Sequence, residues 1–276
     1  MVDTPPPPVP PDAPIWLNGA LLSADVARID PADRGLLLGD GLFETIRVAA
    51  GVPRHAARHI VRLRAGAALL RLDLPAESAL HDALGAVIAA HRLTDGVLRL
   101  TVTRGPGPRG VMPSQKQHPT VMVAALPLPS ALGPARVVIA RGITRDEVSP
   151  LCQIKSLNYL PSILARIEAE ERGAEDAILL NHAGAVAESS AATVFLYRNG
   201  AWLTPHIADG ALPGIRRAML LEAGLVREAT LPPDWLFEAE ALCLGNSLGL
   251  RPVSHIEGRV VGQDTAALTV LAAIEG

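Results

Sequence analysis

From Ile15 the pattern of hydrophobic and polar positions has the period of a strand. Ile15-Trp16-Leu17 and Leu21-Leu22 flank Asn18-Gly19, a pair that accepts the positive φ of a two-residue hairpin turn. Residues 42–48 read as a further strand, turned at Gly51-Val52-Pro53. The period then lengthens, and residues 55–71 and 76–91 predict helices. Residues 97–103 and 120–125 return to strands. A proline-punctuated run, Leu-Pro-Leu-Pro-Ser-Ala-Leu-Gly-Pro over 126–134, has little periodicity and is the expected domain boundary. Beyond it, residues 135–140 predict a strand. Leu160, Ile163, Leu164 and Ile167 then recur at helical spacing, with Arg166, Glu168, Glu170 and Glu171 facing elsewhere. A strand over 177–180 and a hairpin at Asn199-Gly200 follow, then helix, strand and helix to the end. Strands and helices mix without regular alternation, so an α+β fold is expected rather than a doubly wound sheet.

The division expected is a disordered proline-rich tail over 1–14, a small α/β domain over 15–126, a connector over 127–134 and a larger domain over 135–276. The tail, Thr4-Pro5-Pro6-Pro7-Pro8-Val9-Pro10-Pro11, lacks most of its backbone donors and reads as extended. With 276 residues and 49% hydrophobic content, the chain can bury a substantial core. A net charge of −3 recommends neither nucleic acid nor an anionic membrane as partner. The two cysteines, Cys152 and Cys243, have no metal-type or disulfide-type neighbours, which suits the reducing cytoplasm. No run of about eighteen apolar residues and no signal-peptide pattern is present.

Three segments in the second half carry candidate chemistry. Ile154-Lys155-Ser156-Leu157-Asn158-Tyr159 places a lysine just before an apolar helix. Glu188 leads into Ser189-Ser190-Ala191-Ala192 and then an apolar strand. Leu212-Pro213-Gly214-Ile215-Arg216-Arg217 is a glycine turn opening a helix, a natural anion seat. A lysine, a buried-looking carboxylate and a phosphate seat are the parts that pyridoxal phosphate needs. No metal site is expected. Gly105-Pro106-Gly107-Pro108-Arg109-Gly110 satisfies G-x-G-x-x-G, but a dinucleotide fingerprint must open a helix, and Pro106, Pro108 and Pro113 forbid one. That segment reads as a stiffened loop, on which Arg109 is well made to meet a carboxylate or simply to face solvent. Asp33-Arg34-Gly35 through Asp40-Gly41 to Glu44 reads as a turn with a structural ion pair before a strand. His59 and Arg62 lie one turn apart on the following helix.

In order, residues 33–47, His59-x-x-Arg62-Leu63, Thr103-Arg104-Gly105, Lys155-Ser-Leu-Asn, Glu188, Gly214-Ile215-Arg216-Arg217 and Asn246-Ser247-Leu248 resemble the class IV, or fold-type IV, pyridoxal phosphate aminotransferases. That family includes branched-chain and D-amino acid aminotransferases, R-selective amine transaminases and aminodeoxychorismate lyases. The resemblance spans residues 15–276. It implies a small α/β domain, a larger pseudo-barrel domain, the cofactor between them, and a homodimer in which the Arg109 loop reaches toward the partner's site. Trp16, Phe43 and Trp202 stand as interface or core candidates. Lys155 would hold the cofactor and, once displaced by substrate, act as the base that moves the α-proton. Glu188 would pair with the pyridine nitrogen. Arg62, the amides of Ile215 and Arg216, and the Asn246 amide would bind phosphate. Tyr159 stands where branched-chain members place a tyrosine near the cofactor's phenolic oxygen, and D-amino acid members lack it. Phe43, Arg109 and Ser247 would face substrate.

Departures from the family pattern open alternatives. Thr193 replaces an asparagine common among relatives, and Arg216 replaces a threonine in the glycine turn. Phe43 stands where D-amino acid enzymes have a tyrosine that helps hold the substrate carboxylate. Arg109 matches their loop arginine, while Val111 replaces a histidine. Phe43 and Asn246-Ser247-Leu248 look like the lyases, whereas Lys155-Ser-Leu-Asn looks like the D-amino acid enzymes. The resemblance implies transfer of an amino group between an amino acid, D-amino acids favoured, or a primary amine and a 2-keto acid by a ping-pong mechanism. The alternatives are aminodeoxychorismate lyase and branched-chain L-amino acid aminotransferase.

Overall fold

In the computed structural model, residue 10 and residues 12–273 are described; most of the proline-rich tail expected over 1–14 lies outside them. The chain divides into two compact units, Met1–Pro129 and Ser130–Gly276.

The first unit begins with β1 (Pro14–Leu17) and β2 (Ala20–Ser23). They are antiparallel about Asn18 and Gly19, whose φ of 48° and 97° are those of a primed hairpin turn. Helix α1 (Arg34–Leu38), β3 (Gly41–Ala49), β4 (Val52–Pro53), α2 (Ala56–Leu70), α3 (Glu77–His91), β5 (Asp95–Thr103) and β6 (Thr120–Leu126) complete it. The sheet runs β2-β1-β6-β5-β3-β4, antiparallel throughout. Along β3, Leu42, Glu44, Ile46 and Val48 share one face and are buried, because α2 covers that face with His59, Ile60, Leu63 and Ala67. A carboxylate therefore sits in a row of core positions. Helix α1 stands where the sequence reads as a plain turn. Asp33 caps it by accepting from the Gly35 amide at 2.7 Å, and Gly39 ends it at φ 65°.

The second unit contains β7 (Ala135–Ile139), α4 (Leu160–Glu171), β8 (Asp176–Leu180), β9 (Val186–Ser189), β10 (Thr193–Arg198), β11 (Ala201–Thr204), α5 (Ile215–Glu222), β12 (Val226–Glu228), β13 (Ala241–Asn246), β14 (Gly249–Ile256), β15 (Arg259–Val260) and α6 (Thr265–Ala272). Its sheet has the order β12-β11-β10-β13-β14-β7-β8-β9, with β15 paired to β14. Residues 190–192 alone link β9, at one end of this order, to β10, third from the other end. The sheet must curl back on itself to allow that, which makes the pseudo-barrel. Val194, Leu196, Leu242, Leu244, Val253 and Ile256 fill its centre. Trp202 is core, packed with Phe195 and Leu220, its indole N–H donating to the Ala267 carbonyl at 3.2 Å.

Helix α4 overturns the simple reading of its apolar stripe. Leu160, Ile163, Leu164 and Ile167 are 71%, 49%, 51% and 46% exposed, and the helix buries Ala165 and Ala169 instead. The two alanines let it lie close on Val138, Ala177 and Leu179, where larger side chains would hold it off.

Candidate active site

In the second unit, Lys155 lies on the extended link between a short 3-10 turn over Pro150–Gln153 and α4, and is partly buried. Its neighbours Ile154 and Ser156 point inward and are buried, which fixes the link. Tyr159 occupies the N-cap of α4, with Pro161 in the first turn. That geometry brings the lysine Nζ to 3.0 Å from the tyrosine hydroxyl, to which it donates.

Glu188 projects from β9 with its side chain 12% exposed. Its Oε2 accepts from the Leu212 amide at 3.0 Å, and its Oε1 lies 3.1 Å from Arg145 Nη2. Burial pushes the carboxyl above the usual carboxylate range. Arg145, the Leu212 amide and the charge of Lys155 each pull part of the way back. Lysine and carboxylate thus sense one another electrostatically. Arg145 is itself pinned, donating from Nε to the Gly210 carbonyl at 3.0 Å and from Nη2 to the Cys152 carbonyl at 3.1 Å.

The Leu212 that meets Glu188 also leads into α5. Gly214 is the N-cap of that helix, without a side-chain cap, so Ile215 and Arg216 supply backbone N–H groups at the positive end of the helix dipole. A Cβ at Gly214 would stand 3.2 Å from Thr193 Oγ1, so glycine lets the turn lie against β10. Arg216 Nε donates to the Asn246 carbonyl at 2.8 Å, which ties the β13–β14 turn, with Ser247, to the helix start. The Asn246 side chain also closes its own turn, accepting from the Leu248 amide at 2.9 Å and donating to the Ala191 carbonyl at 3.4 Å.

The first unit holds the other candidates. Arg62 lies along Glu44, its Nε 2.8 Å from Oε1, while His59 Nδ1 is 2.6 Å from Oε2. Burial alone would raise the Glu44 carboxyl; the hydrogen bonds and charges of Arg62 and His59 outweigh it and hold the group below its ordinary value. Phe43, on the opposite face of β3, is buried beneath the Arg99 guanidinium at 3.9 Å from its ring centre. Arg109 is exposed on the loop after β5, and no helix follows Gly105-Pro106-Gly107, as the prolines require. Glu44, His59 and Arg145 complete these clusters. Glu44 is signalled by a charge at a core-facing position of β3; Arg145 carries no comparable signal.

An amine beside a phenol, a buried carboxylate backed by a cation, and an uncapped helix start form a donor set that fits pyridoxal phosphate. Residues 41–256 match the family model described as amino-transferase class IV, and the chain belongs to that family. It is 36% identical over 258 residues to a provisionally named branched-chain-amino-acid aminotransferase of Methanocaldococcus jannaschii, covering 90% of this chain and 89% of the relative. It is 30% identical to a D-alanine aminotransferase of Bacillus licheniformis, covering 90% of each. The solved 4-amino-4-deoxychorismate lyase of Pseudomonas aeruginosa superposes with a TM-score of 0.80 at 30% identity, over 92% of this chain and 96% of that one. The fold is that of the fold-type IV enzymes, and the family uses pyridoxal phosphate as its cofactor. Among the described residues no helix is long and apolar enough to cross a membrane.

Proposed function

We propose that this chain is a transaminase that moves an amino group between an amino acid and a 2-keto acid, with L-amino acids of branched apolar side chain as its first donors. The carrying observation is the 3.0 Å hydrogen bond from Lys155 to Tyr159, since that tyrosine belongs to the branched-chain pattern. The Methanocaldococcus relative supports the same donor class. D-amino acid donors, favoured on sequence grounds, retain the support of Arg109 and of the Bacillus relative.

Bound pyridoxal phosphate supplies a ring that takes up the charge left when the α-proton departs. Lys155 would hold the cofactor and would be the base that moves that proton, its Nζ placed by the hydrogen bond to Tyr159. Glu188 would meet the pyridine nitrogen, and Arg145 offsets part of the cost of burying its charge. The amides of Ile215 and Arg216 and the Asn246 side chain would receive phosphate, and Arg62, braced by Glu44, is the candidate phosphate contact of the first unit. Phe43, Arg109 and Ser247 are the proposed substrate contacts. The exposed stripe of α4 supports a homodimer, since covering each of these roughly half-exposed apolar side chains would stabilise by about 1 kcal/mol. The unpaired, buried Cys152 and Cys243 support the cytoplasm as compartment.

One feature favours the lyase as second reading. The Asn246-Ser247-Leu248 turn, tied to α5 through Arg216, has the lyase pattern, and the Pseudomonas lyase is 30% identical. The test is to mix holoenzyme with a panel of L- and D-amino acids without acceptor and follow the cofactor absorbance. Conversion to the amine form with L-valine or L-leucine supports the proposal. Conversion with D-amino acids alone reverses the donor assignment, and no conversion by any amino acid overturns the transaminase.

A further inference from the structure

We infer that Arg34 is the positioning residue for the loop that carries Arg109, and that through this loop it sets the affinity for the substrate carboxylate. The inference rests on the reading that Arg109 receives that carboxylate.

Arg34 opens α1 and is 4% exposed, unusual for an arginine. Its guanidinium is spent in three directions. Nε donates to Asp40 Oδ2 at 2.9 Å, Nη1 to the Gly110 carbonyl at 2.8 Å, and Nη2 to the Val111 carbonyl at 2.7 Å. The two carbonyls belong to the residues directly after Arg109. The start of the loop is tied to the same place, the Arg34 amide donating to the Gly105 carbonyl at 3.0 Å and the Gly107 amide to the Ala32 carbonyl at 3.3 Å. A Cβ at Gly107 would fall 2.9 Å from Arg34 Cδ, so the loop backbone lies on the arginine stem. Pro106, Pro108 and Pro113 have no N–H to give, and the buried guanidinium supplies the donors that hold this segment.

Asp40 braces the arrangement from behind. It also accepts from Arg104 Nε at 2.8 Å and Nη2 at 3.0 Å, and Arg104 in turn donates to the Leu70 and Arg71 carbonyls at the end of α2. The fork that grips the loop is thereby fixed to a helix end. Such a grip needs a rigid planar donor set; a lysine ammonium would keep the ion pair with Asp40 and lose the fixed pair of carbonyl contacts. Arg109 remains exposed at its tip, yet the backbone on its C-terminal side is anchored.

The experiment compares holoenzyme of the native chain, Arg34→Lys, Gly107→Ala, Arg109→Ala and the Arg34→Lys/Arg109→Ala double variant. Amide hydrogen exchange over residues 107–112 is measured beside calorimetric binding of 4-methylpentanoate, a carboxylate that cannot react. In Arg34→Lys, exchange should quicken and the carboxylate should bind about tenfold more weakly, in the range of one lost charge-assisted hydrogen bond. KM for the amino acid should rise while kcat changes little. Gly107→Ala, which pushes the loop off the arginine stem with Arg34 intact, should act in the same direction. The double variant should bind no worse than Arg109→Ala. Native binding by both Arg34→Lys and Gly107→Ala, beside weakened binding by Arg109→Ala, overturns the positioning role and leaves the carboxylate reading standing. Native binding by Arg109→Ala overturns both. Unchanged exchange in both loop variants overturns the tie itself. Failure of every amino acid to react sinks only the transaminase, because neither binding nor exchange needs turnover.

Discussion

Arg145 Nη2 stands 3.1 Å from Glu188 Oε1, the counter-charge of a carboxylate almost closed off from water. The raised pKa of Glu188 shows that burial outweighs this help in the protein without cofactor. A folded-state value above the ordinary 4.5 means that Glu188 favours folding below that pH and loses the contribution as pH rises through its raised value. Glu188→Gln should therefore leave the cofactor-free protein melting no lower than the native chain at neutral pH, an advantage that fades in acid. The same change should cut turnover on the order of a hundredfold or more, as loss of a preorganised charge does, while cofactor still binds. Thermal melts across pH and steady-state rates check the two halves; a lower melting temperature at neutral pH contradicts the first.

Glu44 shows the opposite sign. Its pKa is lowered, so its contribution is present above the ordinary carboxylate value and lost as pH falls through the folded one. Glu44→Gln leaves Arg62 and His59 facing a neutral group in a buried site. The expected loss is roughly 3–5 kcal/mol, typical of breaking a buried ion pair. Urea unfolding near neutral pH measures it, and the gap between native and variant should narrow in acid. A difference under about 1 kcal/mol, the scale of an exposed pair, would mean the cluster contributes little to folding.

These two carboxylates mark where the sequence is legible and where it is not. The hairpins at Asn18-Gly19 and Asn199-Gly200 could be read directly, because those residues tolerate the positive φ that the turns require. Lys155, Glu188 and the Gly214 turn stood out because each sits at the edge of a periodic segment. Helix α1 did not, since five residues are too few to show a period. The stripe of α4 misled because spacing reports which residues share a face, not whether that face is inward; small alanines took the sheet side. Arg145 lies in a polar run without regular structure, and its partner is forty-three residues away. Only the closed chain brings them together.

Lys155 should carry the cofactor. Borohydride reduction of holoenzyme followed by peptide mapping should place the label on the peptide containing Lys155, and a label on another lysine removes the assignment. Tyr159→Phe keeps the ring and deletes the hydroxyl that receives the Lys155 hydrogen bond. The expected cost is about 0.5–1.5 kcal/mol in kcat, with a shifted cofactor absorbance and an unchanged label site. Native rate and spectrum in that variant would separate Tyr159 from the reaction.

Arg109 divides transaminase from lyase. A transaminase must return its cofactor from the amine form, so the same carboxylate contact serves both the amino acid and the keto acid. Arg109 stands exposed on a loop whose backbone is held by Arg34, and Phe43 lacks the hydroxyl that would help it. Arg109→Ala should weaken amino and keto acids together, by roughly 1–3 kcal/mol as KM, the cost of leaving a charged partner unsatisfied. The lyase predicts steady pyruvate release from aminodeoxychorismate without acceptor and no lasting amine form. Fast pyruvate release beside an unmoved spectrum with every amino acid would settle the chemistry in favour of elimination.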